Sequence, residues 1–197
     1  KIYSYSDILA ELFKESYGLG VAGTHGKTTT TAMLGRVLEG LGLDPTVIVG
    51  SKVLEWGSNA RVGSSKYFVA ELDEYQAKFL KYRLKILILT NIEYDHPDFF
   101  KNFKEYKKVF FQLVSQLPKD GLLVGCKDDK TIRKIAQKAP CRVLLYGEKD
   151  LEKFGHLSLR IPGQHNQLNA LAVLTLIREL CRKSDFLHTS HIVFSFE

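Results

Sequence analysis

The chain has 197 residues, 45% of them hydrophobic and 25% charged, which is the mix of one folded domain and excludes a disordered or low-complexity scaffold. No apolar run is long enough for a membrane helix, and Lys1 to Glu15 carries charge throughout, so neither a spanning segment nor a signal peptide is expected. Lys and Arg total 28 against 22 Asp and Glu, a net charge of +6 spread between Lys66 and Lys153; this favours phosphate ligands or solvated helix faces over a nucleic-acid surface. The cysteines, Cys126, Cys141 and Cys181, are odd in number and far apart, which argues against a disulfide framework and for a reducing cytoplasm.

The elements follow in order. Ser6 to Lys14 is expected to be a helix capped by Ser6, with Ile8, Leu9, Leu12 and Phe13 inward. Leu19 to Ala22 is a buried strand. Lys27 to Leu41 is a helix with Met33, Leu34, Val37, Leu38 and Leu41 on its inner face, closed by Gly40 and Gly42. Thr46 to Val49 is a strand, Leu54 to Ser65 a loop or hairpin, and Tyr67 to Leu72 a strand. Lys85 to Thr90 is apolar on both faces, as a central parallel strand must be. Then come a helix over Phe103 to Leu117, a strand over Leu122 to Val124, a helix over Asp128 to Lys138 and a strand over Arg142 to Tyr146. A short strand over Leu157 to Ile161 and a long helix over Gln164 to Cys181 complete the pattern. The alternation predicts an α/β fold: a mostly parallel sheet with helices on both faces.

Four segments carry chemistry. Gly23-Thr24-His25-Gly26-Lys27-Thr28-Thr29 joins a strand to a helix, where glycines let backbone N–H groups and a helix N-terminus surround an anion. Lys27 would reach the β- and γ-phosphates and the Thr28 hydroxyl would sit on Mg²⁺, although the first glycine of the strict phosphate-loop pattern is replaced by Val21. Glu71, Asp73 and Glu74 follow the strand Tyr67–Leu72, where a hard cation would find oxygen ligands. Thr90 to Asp98 follows the next strand, and there His96 is a candidate metal ligand with Asp95 or a backbone carbonyl on its second nitrogen. Gly163 to Ala170 opens the last helix with Asn166 and Asn169 on one face, suited either to reading an adenine edge or to capping.

In this order and spacing, from about Tyr17 to Cys181, these segments resemble the central ATPase domain of the Mur ligases. The resemblance implies that a carboxylate is phosphorylated by ATP and that an amine then attacks the acyl phosphate to give an amide, ADP and phosphate. It implies that Gly23, Thr24, His25, Gly26, Lys27, Thr28 and Thr29 hold ATP and that Thr28 and Glu71 bind one Mg²⁺. It also implies that His96 binds a second, that Asn166 and Asn169 meet adenine, and that His165 lies nearby; Lys27, Glu71 and His96 become the catalytic set. Residues 1–197 would then be the central domain, with 1–16 leading in and 183–197 leading out. The partners would be UDP-N-acetylmuramate and an amino acid or peptide, held mainly by flanking domains, with no nucleic acid and no membrane. L-alanine is the favoured acceptor and a ready-made tripeptide the alternative. A lysine on the helix after the Asp-His pair is carbamylated in several relatives; Lys107 and Lys108 lie there and read as surface lysines. A nucleotide-hydrolysing switch would share Lys27 and Thr28 but not the segment His165–Asn169.

Overall fold

β1 (Tyr17–Ala22) lies at the middle of a seven-stranded sheet. The other strands are β2 (Thr46–Val53), β3 (Ser58–Arg61), β4 (Tyr67–Glu71), β5 (Ile86–Leu89), β6 (Leu122–Cys126) and β7 (Arg142–Tyr146), and the spatial order is β3-β2-β4-β1-β5-β6-β7. Every pairing is parallel except that of β2 with β3. The computed structural model describes residues 2–154, 157 and 159–183.

The helices are α1 (Tyr5–Glu15), α2 (Lys27–Gly40), α3 (Phe103–Ser115), α4 (Lys130–Ala136), α5 (Glu148–Phe154) and α6 (Gln164–Lys183), and a 3-10 segment spans Tyr75–Lys81. α2 and α6 pack on each other and on the sheet; α1 and α3 pack on the 3-10 segment, and α4 on α3 and β6. All four residues of β5 are buried, as a strand covered on both faces requires. Fully burying one such Leu or Ile contributes about 2 kcal/mol, so the two-sided strands β1, β5 and β6 anchor the core.

Several expectations shift. Ser4, not Ser6, caps α1: the Ser4 hydroxyl accepts from the Asp7 N–H, and the Asp7 carboxylate accepts from the Ser4 N–H at 3.0 Å. The inward stripe is accordingly Ser6, Leu9, Ala10 and Phe13, while Ile8 and Leu12 are exposed. Of the loop or hairpin expected over Leu54 to Ser65, the hairpin forms, with β3 antiparallel to β2 and an irregularity in register between Ile48 and Val53. Of the strand expected over Leu157 to Ile161, residue 158 lies outside the described residues, and among the others only Leu159 makes an isolated bridge. At Leu157 the Gln167 side chain stands where a ladder partner would, accepting from its N–H at 3.1 Å and donating to its carbonyl at 2.9 Å. α5 and the 3-10 segment were not expected. The tail beyond Lys183 lies outside the described residues.

β1 hydrogen-bonds β4 on one side and β5 on the other, so the chain order reverses there. In such sheets the crevice beyond the carboxyl ends at the reversal is where ligands bind. Residues 23–26, 71–74 and 90–96 all emerge at that point.

Candidate functional site

The loop between β1 and α2 is held by the end of β5. The Thr24 N–H donates to the Asn91 carbonyl at 2.9 Å and the His25 N–H to Asn91 Oδ1 at 2.9 Å. In return Asn91 Nδ2 and Thr90 Oγ1 donate to the His25 carbonyl at 3.0 and 2.7 Å. Gly23 has φ +140°, and a Cβ there would lie 2.1 Å from Thr90 Oγ1; Gly26 has φ +79°, and its Cβ would lie 2.5 Å from Asn169 Oδ1. Both positions therefore need glycine. Gly26 is the N-cap of α2 and brings no side chain to its first-turn N–H groups, which stay available to an anion at the positive end of the helix.

Lys27 Nζ donates to the Gly23 and Thr24 carbonyls at 2.7 and 3.2 Å and to Glu74 Oε1 at 3.2 Å. Glu74 is fully buried, and its Oε2 lies 3.1 Å from Lys27 Nζ. A buried carboxylate needs such a partner to offset the cost of its desolvation. One residue along, the Thr28 hydroxyl donates to Glu71 Oε1 at 3.0 Å, and the other Glu71 oxygen accepts from the Gly50 N–H at 2.6 Å. The loop lysine and the loop threonine thus each meet one glutamate from the end of β4.

His96 has φ +55°, an uncommon conformation for a non-glycine residue. Its Nε2 lies 3.8 Å from Glu74 Oε1 and 3.8 Å from Asp95 Oδ2, so both carboxylates approach the same nitrogen rather than opposite ones. Asp95 Oδ1 accepts from the His96 N–H at 2.7 Å. Ligand atoms of Glu74, Asp95 and His96 lie within 4.8 Å of one another. Carboxylate oxygens with one imidazole suit a divalent cation, as does the pair Thr28 and Glu71. The Tyr75 ring lies 5.1 Å from the His96 ring, and its hydroxyl donates to Asp98 at 2.9 Å.

Asn166 and Asn169 are buried and bonded in series: Asn166 donates to the Pro162 carbonyl at 2.8 Å and Asn169 to Asn166 Oδ1 at 3.3 Å. Asn169 abuts Gly26, so the start of α6 is brought to the phosphate loop, while His165 is exposed beside Gly163.

The sequence offers Glu74 only as one of three acidic cation candidates, with Glu71 and Asp73, and it offers Tyr106 not at all. Tyr106, fully buried on α3, donates from its hydroxyl to Glu74 Oε1 at 3.1 Å and lies 3.0 Å from Thr24 Oγ1. Burial above all, and then the Glu74 charge, hold its phenol well above the ordinary range, so it remains a donor. The one signal was a phenol in the otherwise apolar stripe Val109, Phe110, Leu113. Lys107 lies over the Phe103 ring and Lys108 is exposed, so Tyr106 is the side chain that α3 sends to Glu74.

Comparison with known proteins bears on this geometry. Residues 21–157 match the family model of the Mur ligase middle domain. The UDP-N-acetylmuramate–L-alanine ligase of Syntrophotalea carbinolica is 38% identical over 198 residues, an alignment covering 89% of this chain and 43% of that protein. Among solved structures, UDP-N-acetylmuramate:L-alanyl-gamma-D-glutamyl-meso-diaminopimelate ligase from Neisseria meningitides superposes with a TM-score of 0.78 at 29% identity, covering 89% of this chain and 65% of that one. UDP-N-acetylmuramate-alanine ligase from Thermotoga maritima gives a TM-score of 0.73 at 28% identity, with 89% and 44% covered. The chain therefore spans less than half the length of the curated relative it matches.

Proposed function

We propose, since this chain belongs to the Mur ligase family and supplies its middle domain, that it binds ATP and drives the joining of a carboxylate to an amine. The observation that carries the reading is the meeting of Lys27 and Thr28 with Glu74 and Glu71 where β1 and β4 end.

The loop Gly23–Thr28 receives the phosphates through its backbone and the start of α2. Lys27 turns from Glu74 to the β- and γ-phosphates and offsets the charge that spreads over the transferring group. Thr28 and Glu71 would hold one Mg²⁺, and His96, with Glu74 and Asp95, a second. Bound there, the ions supply Lewis-acid charge to the phosphoryl oxygens. An oxygen of the carboxylate substrate bonds to the γ-phosphorus as the bond to ADP breaks. The amine then bonds to the acyl carbon, phosphate leaves, and the amine's proton passes to solvent or a base. Asn166 and Asn169 meet the adenine from the start of α6, beside the loop that Asn169 touches.

On this reading residues 1–197 form the nucleotide-binding middle of a longer ligase. Its carboxylate substrate is UDP-N-acetylmuramate, its amine is L-alanine, and both are gripped mainly by flanking domains. The free cysteines and the absence, among the described residues, of any helix able to cross a membrane accord with work in the cytoplasm. A second reading gives the amine as a ready-made tripeptide; the similarity to the Neisseria ligase favours it. Phosphate release by the full-length protein with ATP, Mg²⁺ and UDP-N-acetylmuramate separates the two. Stimulation by L-alanine supports the first, stimulation only by the tripeptide the second, and none by either refutes both.

A further inference from the structure

We propose that Tyr106 is a positioning residue that allows Lys27 to leave Glu74 for the nucleotide; the proposal rests on the nucleotide reading above. All the N–H donors of Lys27 are engaged in this structure, on Gly23, Thr24 and Glu74. To reach a phosphate it must release Glu74, which is wholly buried. With no metal bound, a buried carboxylate that loses its cation is left uncompensated unless another donor holds it. The Tyr106 hydroxyl, at 3.1 Å, is that donor, whereas His96 Nε2 stands off at 3.8 Å.

The hydroxyl is itself fixed. Thr24 Oγ1 lies 3.0 Å from it, and that oxygen accepts from the Glu93 N–H at 2.9 Å and lies 2.9 Å from the Glu93 carbonyl. The phenol thereby links the phosphate loop, the strand-end segment at Glu93 and Glu74. Its ring packs edge-on against Phe100 at 5.1 Å and tilted against Phe110 at 5.2 Å, which holds the group in place. The bond from Tyr106 to Glu74 strengthens when Lys27 departs, because the carboxylate charge is then unshared. Its contribution therefore falls on the nucleotide-bound state more than on the free one.

The test is a double-mutant cycle in the full-length protein, read as ATP affinity by calorimetry, both in EDTA and with Mg²⁺. Tyr106→Phe keeps the ring and removes the hydroxyl, and is expected to weaken ATP binding in EDTA about tenfold. Glu74→Gln removes the charge that retains Lys27 and is expected to tighten metal-free ATP. In the Glu74→Gln background Tyr106→Phe is expected to change affinity less than twofold. An equal loss in both backgrounds would show that the tyrosine only supports packing, and no loss in either would show that its hydroxyl is idle; both overturn the proposal. Should Tyr106→Phe fail to fold, Glu74→Gln alone decides, and metal-free ATP bound no more tightly than by wild type overturns it. Wild type that binds no ATP in either condition overturns the nucleotide reading and this one with it, whereas normal binding with an uncoupled cycle overturns this one alone.

Discussion

Lys27 Nζ faces Glu74 Oε2 across 3.1 Å, although the two residues lie 47 positions apart. The side chains are 17% and 0% exposed, so the pair spans from the surface of the crevice to the protein interior. One end is within reach of a ligand and the other is out of water.

Removing the cation alone is therefore expected to destabilise the fold as well as the site. Lys27→Ala leaves the Glu74 charge buried with only Tyr106 to hold it, a change worth about 3 kcal/mol in comparable cases. It should also abolish measurable ATP binding. Urea denaturation and calorimetry check the two effects separately. Adding Glu74→Gln should restore most of the stability and none of the nucleotide-linked activity.

Gly26→Ala tests the loop without touching a charge. The new Cβ meets Asn169 Oδ1 at 2.5 Å and sits at φ +79°, so strain of about 1–2 kcal/mol is expected. Because α2 starts at this residue, the strain distorts the N–H groups that receive phosphate. ATP affinity should fall at least tenfold while the far-UV circular dichroism spectrum is retained.

Asp129 caps α4, accepting from the Thr131 and Ile132 N–H groups at 2.6 and 2.9 Å, and its other oxygen accepts from the Ile92 N–H at 2.7 Å. It thus holds both a helix end and the backbone leading to His96. Asp129→Ala should cost about 2 kcal/mol in urea denaturation, one part from the cap and one from the orphaned Ile92 N–H. Asp129→Asn, which can still accept, should lose less. A smaller loss for Ala than for Asn would contradict this assignment.

Acid should weaken the fold through carboxylates that take no part in the nucleotide site. Ser64 and then Arg61 hold the Asp44 carboxyl well below its ordinary 3.8, Lys81 and then Ser4 do the same for Asp7, and Lys127 does so for Asp150. Each depressed group contributes stability that is complete above the unfolded-state value and is lost as pH falls toward the folded one. Wild-type Tm should therefore drop between about pH 5 and pH 2. Asp44→Asn should lower Tm at neutral pH and make the acid decline shallower. A decline of unchanged steepness would exclude Asp44 as a contributor.

What the sequence made legible divides along physical lines. The two-sided strands and the Gly-Lys-Thr junction were readable because each is a local pattern: an unbroken apolar run, or glycines at a strand-to-helix turn. Glu74 could be named as an acidic candidate but not told apart from Asp73, because the two are adjacent acids in one turn, yet the first is exposed and the second buried. Their difference comes from the 3-10 segment, where Gln76 and Ala77 take φ near +56° and +55° without a glycine to announce it. Tyr106 was hidden for a related reason, since a phenol among Phe, Val and Leu looks like core until its hydroxyl is seen 3.1 Å from a carboxylate. Ser6 was mistaken for a cap because Ser4 and Ser6 both precede the apolar stripe, and only the Asp7 carboxylate, accepting from the Ser4 N–H, distinguishes them.

The central position of β1 also governs how the molecule comes into being on the ribosome. Tyr17 pairs with Tyr67 and Leu19 with Ile86, so this strand of the sheet is left with both edges bare until two later strands have emerged. The nascent phosphate loop has no support until Thr90 and Asn91 arrive to hold it. Such non-local pairing slows folding and prolongs exposure of an apolar strand to other chains. Slowing translation before Tyr67 would lengthen that exposure, whereas slowing it after Asn91 would find the loop already anchored.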